Sequence, residues 1–368
     1  MGFLGMGFWN LNRDNVFGVI AKTAHYPSHL SLMVTAVLAG LVLPTLTPTA
    51  IARSLTEQLH TPPQADRRSQ QDVADQFLLL GQEQLNLRQY AAAITALQEA
   101  ANAYHYLGDL VGMGEAFEQL VKAHSTLGQF DHAEQILRQQ LSIARTHQNF
   151  SDQILSLNNL GSLRLQLGDL ETAHAAFTEG LEISEAISSD RGIGLSMSNL
   201  GLVAATQGQI NDARKYYEVA ASYRARARDY AGQANTDSNL GDIYLAGGQI
   251  IEAIGAYRLS LSLAKRVDDP YLQLRALDGL IEIYRDRNEP RELFSYLNER
   301  IALTQRTGDD WQRLLTLRTL GEIHEQQGDL RLAHESFSLA LSIAQALDRK
   351  SAQAELTNRL LWIASQLE

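Results

Sequence analysis

The chain has 368 residues, enough for two or three ordinary domains or for one extended repeat array. Hydrophobic residues make up 45%, which excludes wholesale disorder, and a formal charge of −11 argues against a duplex nucleic acid partner, because phosphate binding needs clustered Lys and Arg. The absence of cysteine excludes disulfides, thiolate metal sites, a cysteine nucleophile and lipid attachment through cysteine.

The first feature in chain order is the uncharged apolar run Leu30 to Leu43, LSLMVTAVLAGLVL, followed by PTLTPTAIA and Arg53. A helix of 14 residues is about 21 Å long, short of a hydrocarbon core of roughly 30 Å. Ala50-Ile51-Ala52 has the small-x-small form of a signal peptidase site. Residues 1–52 therefore read as a cleaved export signal, with the mature chain in a periplasmic or lumenal space. The competing reading is an uncleaved anchor over residues 30–52, which are free of charge and include Pro44 and Pro48. Only that segment would then touch a membrane. Residues 53–71 are polar, carry Pro62-Pro63 and lack a helical apolar stripe, so they are expected to form a linker.

From residue 72 onward a period of 40 governs the chain. Leucine stands at 80, 120, 160, 200, 240, 280, 320 and 360. Glycine follows it at 81, 161, 201, 241 and 321, and a second glycine recurs at 128, 168, 208, 248 and 328. Alanine recurs at 93, 133, 173, 213, 253 and 333, with Phe or Tyr four residues later at 177, 217, 257 and 337. Apolar residues at i, i+3 and i+4 on both sides of the second glycine predict helix, turn, helix in each unit. Only Pro270 and Pro290 fall in this region, so it can be almost entirely helical.

Seven helical pairs are expected across residues 72–349, starting near 72, 110, 151, 191, 231, 270 and 310, and then a capping helix over 350–368. In that last helix Leu356, Leu360, Ile363 and Leu367 form one stripe that covers the final apolar face. Each glycine inside the first helix of a pair costs about 1 kcal/mol relative to alanine, so close approach of a neighbour must offset it. Val121 and Ile281 break the glycine column, and NEP at 288–290 with Leu293 breaks the turn and alanine columns. Units two and six are expected to pack less closely.

Chemistry-bearing residues follow the same phase. Gly112-Met113-Gly114 and Gly192-Ile193-Gly194 lack the third glycine and the preceding strand of a dinucleotide loop, and they lie 80 residues apart. His124 and His324, and likewise His174 and His334, are whole periods apart, which marks columns rather than a metal cluster. No metal or cofactor is expected, and no catalytic residue is assigned. The basic run YRARARDY, from Tyr223 to Tyr230, reads as a solvated helix end.

These columns resemble the tetratricopeptide repeat, whose helix A carries Leu-Gly and whose helix B carries a small residue followed by an aromatic. The period of 40, the run GDLETAHAAFTEGLEI and NLG at 159, 199 and 239 are most similar to the Pins-like and kinesin-light-chain-like members. The resemblance implies an all-α, right-handed superhelical solenoid in which helix A lines a concave groove. Helix A positions at i, i+4, i+7 and i+11 share a face. On that basis the groove is expected to use Asn159, Ser162 and Gln166 of the third unit, Asn199 of the fourth, Asn235, Asn239 and Asp242 of the fifth, Glu282 and Asp286 of the sixth and Glu322 of the seventh. Asn159, Asn199 and Asn239 form an amide ladder suited to a peptide backbone, and the four acids suit a basic segment nearer the carboxy terminus.

The expected function is a non-catalytic interaction scaffold that binds a protein or peptide segment, as an assembly or localisation factor outside the cytoplasm. The alternative is a membrane-anchored, cytoplasmic-side regulator, sensor or accessory subunit.

Overall fold

The structure, a computed structural model, describes residues 64–367 and falls into two compact units divided after Gln140. The amino-terminal segment, with its signal or anchor reading, lies outside the described residues. Among the described residues every regular element is an α-helix. No helix there is long and apolar enough to cross a membrane.

The first unit contains α1 (Gln64–Asn86), α2 (Tyr90–Leu107), α3 (Leu110–Thr126) and most of α4 (Phe130–Thr146). The second continues with α5 (Phe150–Gln166), α6 (Leu170–Ala186), α7 (Asp190–Thr206), α8 (Ile210–Arg226), α9 (Tyr230–Ala246) and α10 (Ile250–Arg266). It closes with α11 (Pro270–Asp286), α12 (Pro290–Thr307), α13 (Asp310–Gln326), α14 (Leu330–Ala346) and α15 (Lys350–Leu367). Odd-numbered helices from α1 to α13 are the A helices and even-numbered ones the B helices of seven pairs, with α15 as the cap. Leu356 and Ile363 of α15 are fully buried against Phe337 and its neighbours, whereas Leu367 is exposed.

One boundary departs from expectation. Residues 64–71, assigned to the linker, are the first two turns of α1. No Pro or Gly follows Pro63 in that stretch, and tertiary bonds hold it: the Arg67 guanidinium donates to the Leu107 carbonyl at 3.0 Å and the Gln71 amide to Asp109 at 3.0 Å. Packing replaces the apolar stripe the sequence lacks.

The helices start where caps permit. Asp109, Asn149, Ser189, Asp229, Asp269 and Asp309, themselves 40 apart, each accept a backbone N–H from the first turn of an A helix. Each link between helices contains one residue at positive φ. Within repeats this is mostly glycine, as at Gly168 (φ 81°), but between repeats it includes Gln148, Ser188, Arg228 and Asp268. A non-glycine residue there costs roughly 1–2 kcal/mol. Exposed Ser188, at φ 55°, is a direct test. Ser188→Gly is expected to raise stability by about 0.5–1 kcal/mol after glycine's larger chain entropy is counted, read as a higher denaturant midpoint.

The A-helix glycines lie against the B-helix aromatics. A Cβ added at Gly161 would meet the Phe177 ring at 2.5 Å, one at Gly241 the Tyr257 ring at 2.7 Å, and one at Gly321 the Phe337 ring at 2.6 Å. All three rings are buried to 2% exposure or less. Unit six packs less closely, as expected: α11 and α12 approach each other less than the paired helices that carry the glycine. In units two and six Val121 and Ile281 replace the glycine while Leu137 and Leu297 replace the ring, and all four are buried. Volume moves from one helix to the other.

Gly112 in α3 and Gly192 in α7 also lie close to a neighbour, Gly112 against the Tyr104 ring and Gly192 against Ser184, whereas Gly114 has no such contact. The basic run is a solvated end only in part, since Arg226 and Arg228 are exposed and Arg224 is not. Arg224 is buried and paired with Asp229 at 2.5 Å, and Arg226 pairs with Asp190 at 2.5 Å.

Candidate functional site

The exposed face of the A helices in the second unit changes character along the chain. On α5 and α7 it is apolar with interspersed amides. Leu155 is 41% exposed, Asn159, Ser162, Leu195, Asn199 and Leu202 are half-buried, and Gln166 and Thr206 are exposed. Asn199 is tied to its own scaffold, since its amide donates to the Asn158 side-chain carbonyl at 2.8 Å. Asn158 is buried and in turn donates to Ser196 Oγ at 2.9 Å and to the Ile154 carbonyl at 2.8 Å. Asn158, missed in the sequence because it lies off the groove stripe, sets the position of the Asn199 amide between α5 and α7.

On α9 the expected ladder is closed. Arg275 of α11 reaches back and donates to Asn235 Oδ1 at 2.6 Å, to Asn239 Oδ1 at 2.5 Å and to Asp242 Oδ2 at 2.9 Å. Asn239 is only 4% exposed. The Tyr257 hydroxyl, held protonated by burial, donates to the other Asp242 oxygen at 2.5 Å. Asn235, Asn239 and Asp242 therefore form one bonded cluster around a guanidinium. A planar fork suits several carboxylate and carbonyl acceptors at once. Arg275→Met, which keeps the stem and removes the donors, is expected to lower stability by about 1–2 kcal/mol, measured by chemical denaturation.

The acidic stripe is thinned in the same way. Arg359 of α15 lies 3.5 Å and Arg318 3.8 Å from Glu322. What stays net negative on this face is α11, where Glu282 and Asp286 are exposed. Desolvation first, and then the carboxylates of Asp286, Asp242 and Asp278, raise the Glu282 pKa against the opposing effect of Arg285. Arg285, 3.7 Å from Asp286, offsets only one of these two acids, so an arriving cation would relieve the crowding that remains.

The ten residues thus separate into three groups. Asn159, Ser162, Gln166 and Asn199 lie on one half-exposed, partly apolar face. Asn235, Asn239 and Asp242 are joined in the Arg275 cluster. Glu282 and Asp286 are exposed acids, and Glu322 sits beside two arginines.

A family model of the tetratricopeptide repeat matches residues 152–226 and 192–266, and a second model of the same repeat matches 114–147. No curated protein matches the chain in sequence. Among solved structures the chain is similar to aspartyl phosphate phosphatase F from Bacillus subtilis, at 14% identity and a TM-score of 0.53, over 79% of this chain and 78% of that one. It is similar to the Rap conjugation gene regulator of the plasmid pLS20, solved with the Phr* peptide, at 18% identity and a TM-score of 0.51, over 84% and 82%. BtubC (BKLC) from P. vanneervenii matches at 18% identity and a TM-score of 0.51, over 60% of this chain and 91% of that one. At such identities these likenesses speak to the fold.

Proposed function

Since the chain is a tetratricopeptide-repeat protein, we propose that it works as a non-catalytic scaffold that holds a polypeptide segment of a partner along its A helices. The observation that carries this reading is the face of α5 and α7. It presents Leu155, Leu195 and Leu202 beside the amides of Asn159 and Asn199, apolar area next to groups that both donate and accept. The Rap regulator of the same fold was solved with a peptide, which supports a peptide as the class of ligand. Glu282 and Asp286 favour a cationic residue in the part of the segment that reaches α11.

The test places photo-crosslinking residues at Leu155, Leu202 and Glu282 and, as controls, at exposed Glu171 and Arg331 on B helices. Partner adducts concentrated at the first three positions are the expected result. Adducts that favour the controls would sink the groove reading.

For location, the small-x-small tripeptide at 50–52 behind an apolar run supports export with a mature start at Arg53. Amino-terminal sequencing of the native protein decides it. A chain retaining residues 30–52 would instead support the membrane-anchored regulator.

A further inference from the structure

A cavity of about 340 Å³ opens between α6, α7 and α8, on the side of α7 turned away from the Asn199 face. It is lined by His174 of α6, Met197, Leu200 and Val203 of α7, and Tyr216 and Val219 of α8. One lining residue, Ala204, sets this place apart from its sister repeats. The column that contains Ala204 reads Gln84, His124, Arg164, Ala204, Tyr244, Tyr284 and His324 across the seven repeats. Every other repeat places a long or ring-bearing side chain there, and the fourth places a methyl group.

The sister repeats show what fits. In the sixth, the Tyr284 ring stacks on Tyr296 at 5.6 Å, and Tyr296 shares its column with Tyr216. In the seventh, the His324 ring stacks on Phe294 at 4.9 Å, and Phe294 shares its column with His174. In the fifth, the Tyr244 hydroxyl donates to Glu218 at 3.0 Å. The fourth repeat keeps both stacking surfaces, Tyr216 and His174, and lacks the ring between them.

We propose that this gap is a docking pocket for an aromatic side chain of a partner polypeptide, which inserts where the sister repeats insert their own. Charge selects a neutral ring over a phosphate or carboxylate, because Lys215 and Asp212, which also line the cavity, pair with each other at 3.1 Å. The volume lies at the lower end of ligand pockets and suits one anchored side chain of the kind that dominates interfaces. The pocket stands independently of the A-helix groove, which the crosslinks at Leu155, Leu202 and Glu282 address.

The probes are N-acetyltyrosinamide and N-acetylleucinamide at millimolar concentration, read by the methyl resonances of Met197, Leu200 and Val203. The tyrosine amide is expected to shift all three and the leucine amide to leave them in place. Ala204→Tyr fills the gap with the side chain of the next repeat, so it should fold, melt no lower than the parent and abolish the shifts. Tyr216→Ser, the residue found in that column as Ser336, removes one stacking surface and should weaken binding about threefold to tenfold. No shift with the tyrosine amide, equal shifts with the leucine amide, undiminished shifts in either variant, or an unfolded Ala204→Tyr chain would each overturn the proposal.

Discussion

Asp237→Leu is expected to stabilise the protein at pH 8 by on the order of 4 kcal/mol and to flatten its stability between pH 4 and pH 7. Asp237 lies in α9 at 3% exposure, in the column where other repeats carry Leu157, Met197, Leu277 and Leu317. Its Oδ2 has no hydrogen-bond partner, and Gln233 alone supports the carboxylate. Burial pushes its pKa up from 3.8 to about 7.

Because the folded chain then holds the proton more tightly than the unfolded chain, the folded state gains below the unfolded pKa. That gain is lost as pH rises through the folded pKa, and stability levels off beyond it. A difference of about three units corresponds to roughly 4 kcal/mol. Paired denaturant titrations of the parent and Asp237→Leu at pH 4, 6 and 8 measure it. A gap between the two proteins that does not widen with pH would mean the carboxylate finds a partner in solution.

Gly161→Val is expected to cost about 2–3 kcal/mol, and Phe177→Leu in the same chain is expected to recover most of it. The single change drives a branched side chain into the buried Phe177 ring, which even a Cβ would approach to 2.5 Å. The double change copies a solution already present twice in the protein, Val121 with Leu137 and Ile281 with Leu297. Phe177→Leu alone leaves a void and destabilises. The cycle should therefore show a favourable coupling of about 2 kcal/mol, and strict additivity would remove the volume-exchange account.

The architecture was legible because the same packing problem recurs every 40 residues, so leucine, glycine and ring columns reinforce one another until no other period fits. Start positions of the A helices from α3 to α13, and of α15, follow closely for the same reason. The start of α1 was not legible, since Arg67 and Gln71 stabilise it through partners some 40 residues away. The left-handed residues between repeats were hidden by their identity, because Ser188 and Arg228 do not announce positive φ as glycine does.

At the candidate site the stripe was readable as a face and its bonding was not. Arg275 is the sixth unit's equivalent of Asn235, 40 residues on, and only the packing of α11 on α9 reveals that it occupies Asn235, Asn239 and Asp242 together. The cavity beside Ala204 carried a signal that went unread. Alanine is unremarked in a helix, but it is conspicuous in a column otherwise made of Gln, His, Arg and Tyr.

The left-handed links stand at residues 88, 108, 128 and so on to 348, one every 20 residues throughout the described chain. Each helix is thus one stroke of fixed length, and the direction of travel reverses at every link. An insertion of a few residues within a stroke rotates all that follows by about 100° per residue and carries rings away from glycines. An insertion of 20, one helix with its link, keeps the links in step but exchanges A and B surfaces. Viable length variants are therefore quantised: the chain can grow or shrink by whole forties, and intermediate lengths belong only at the links themselves.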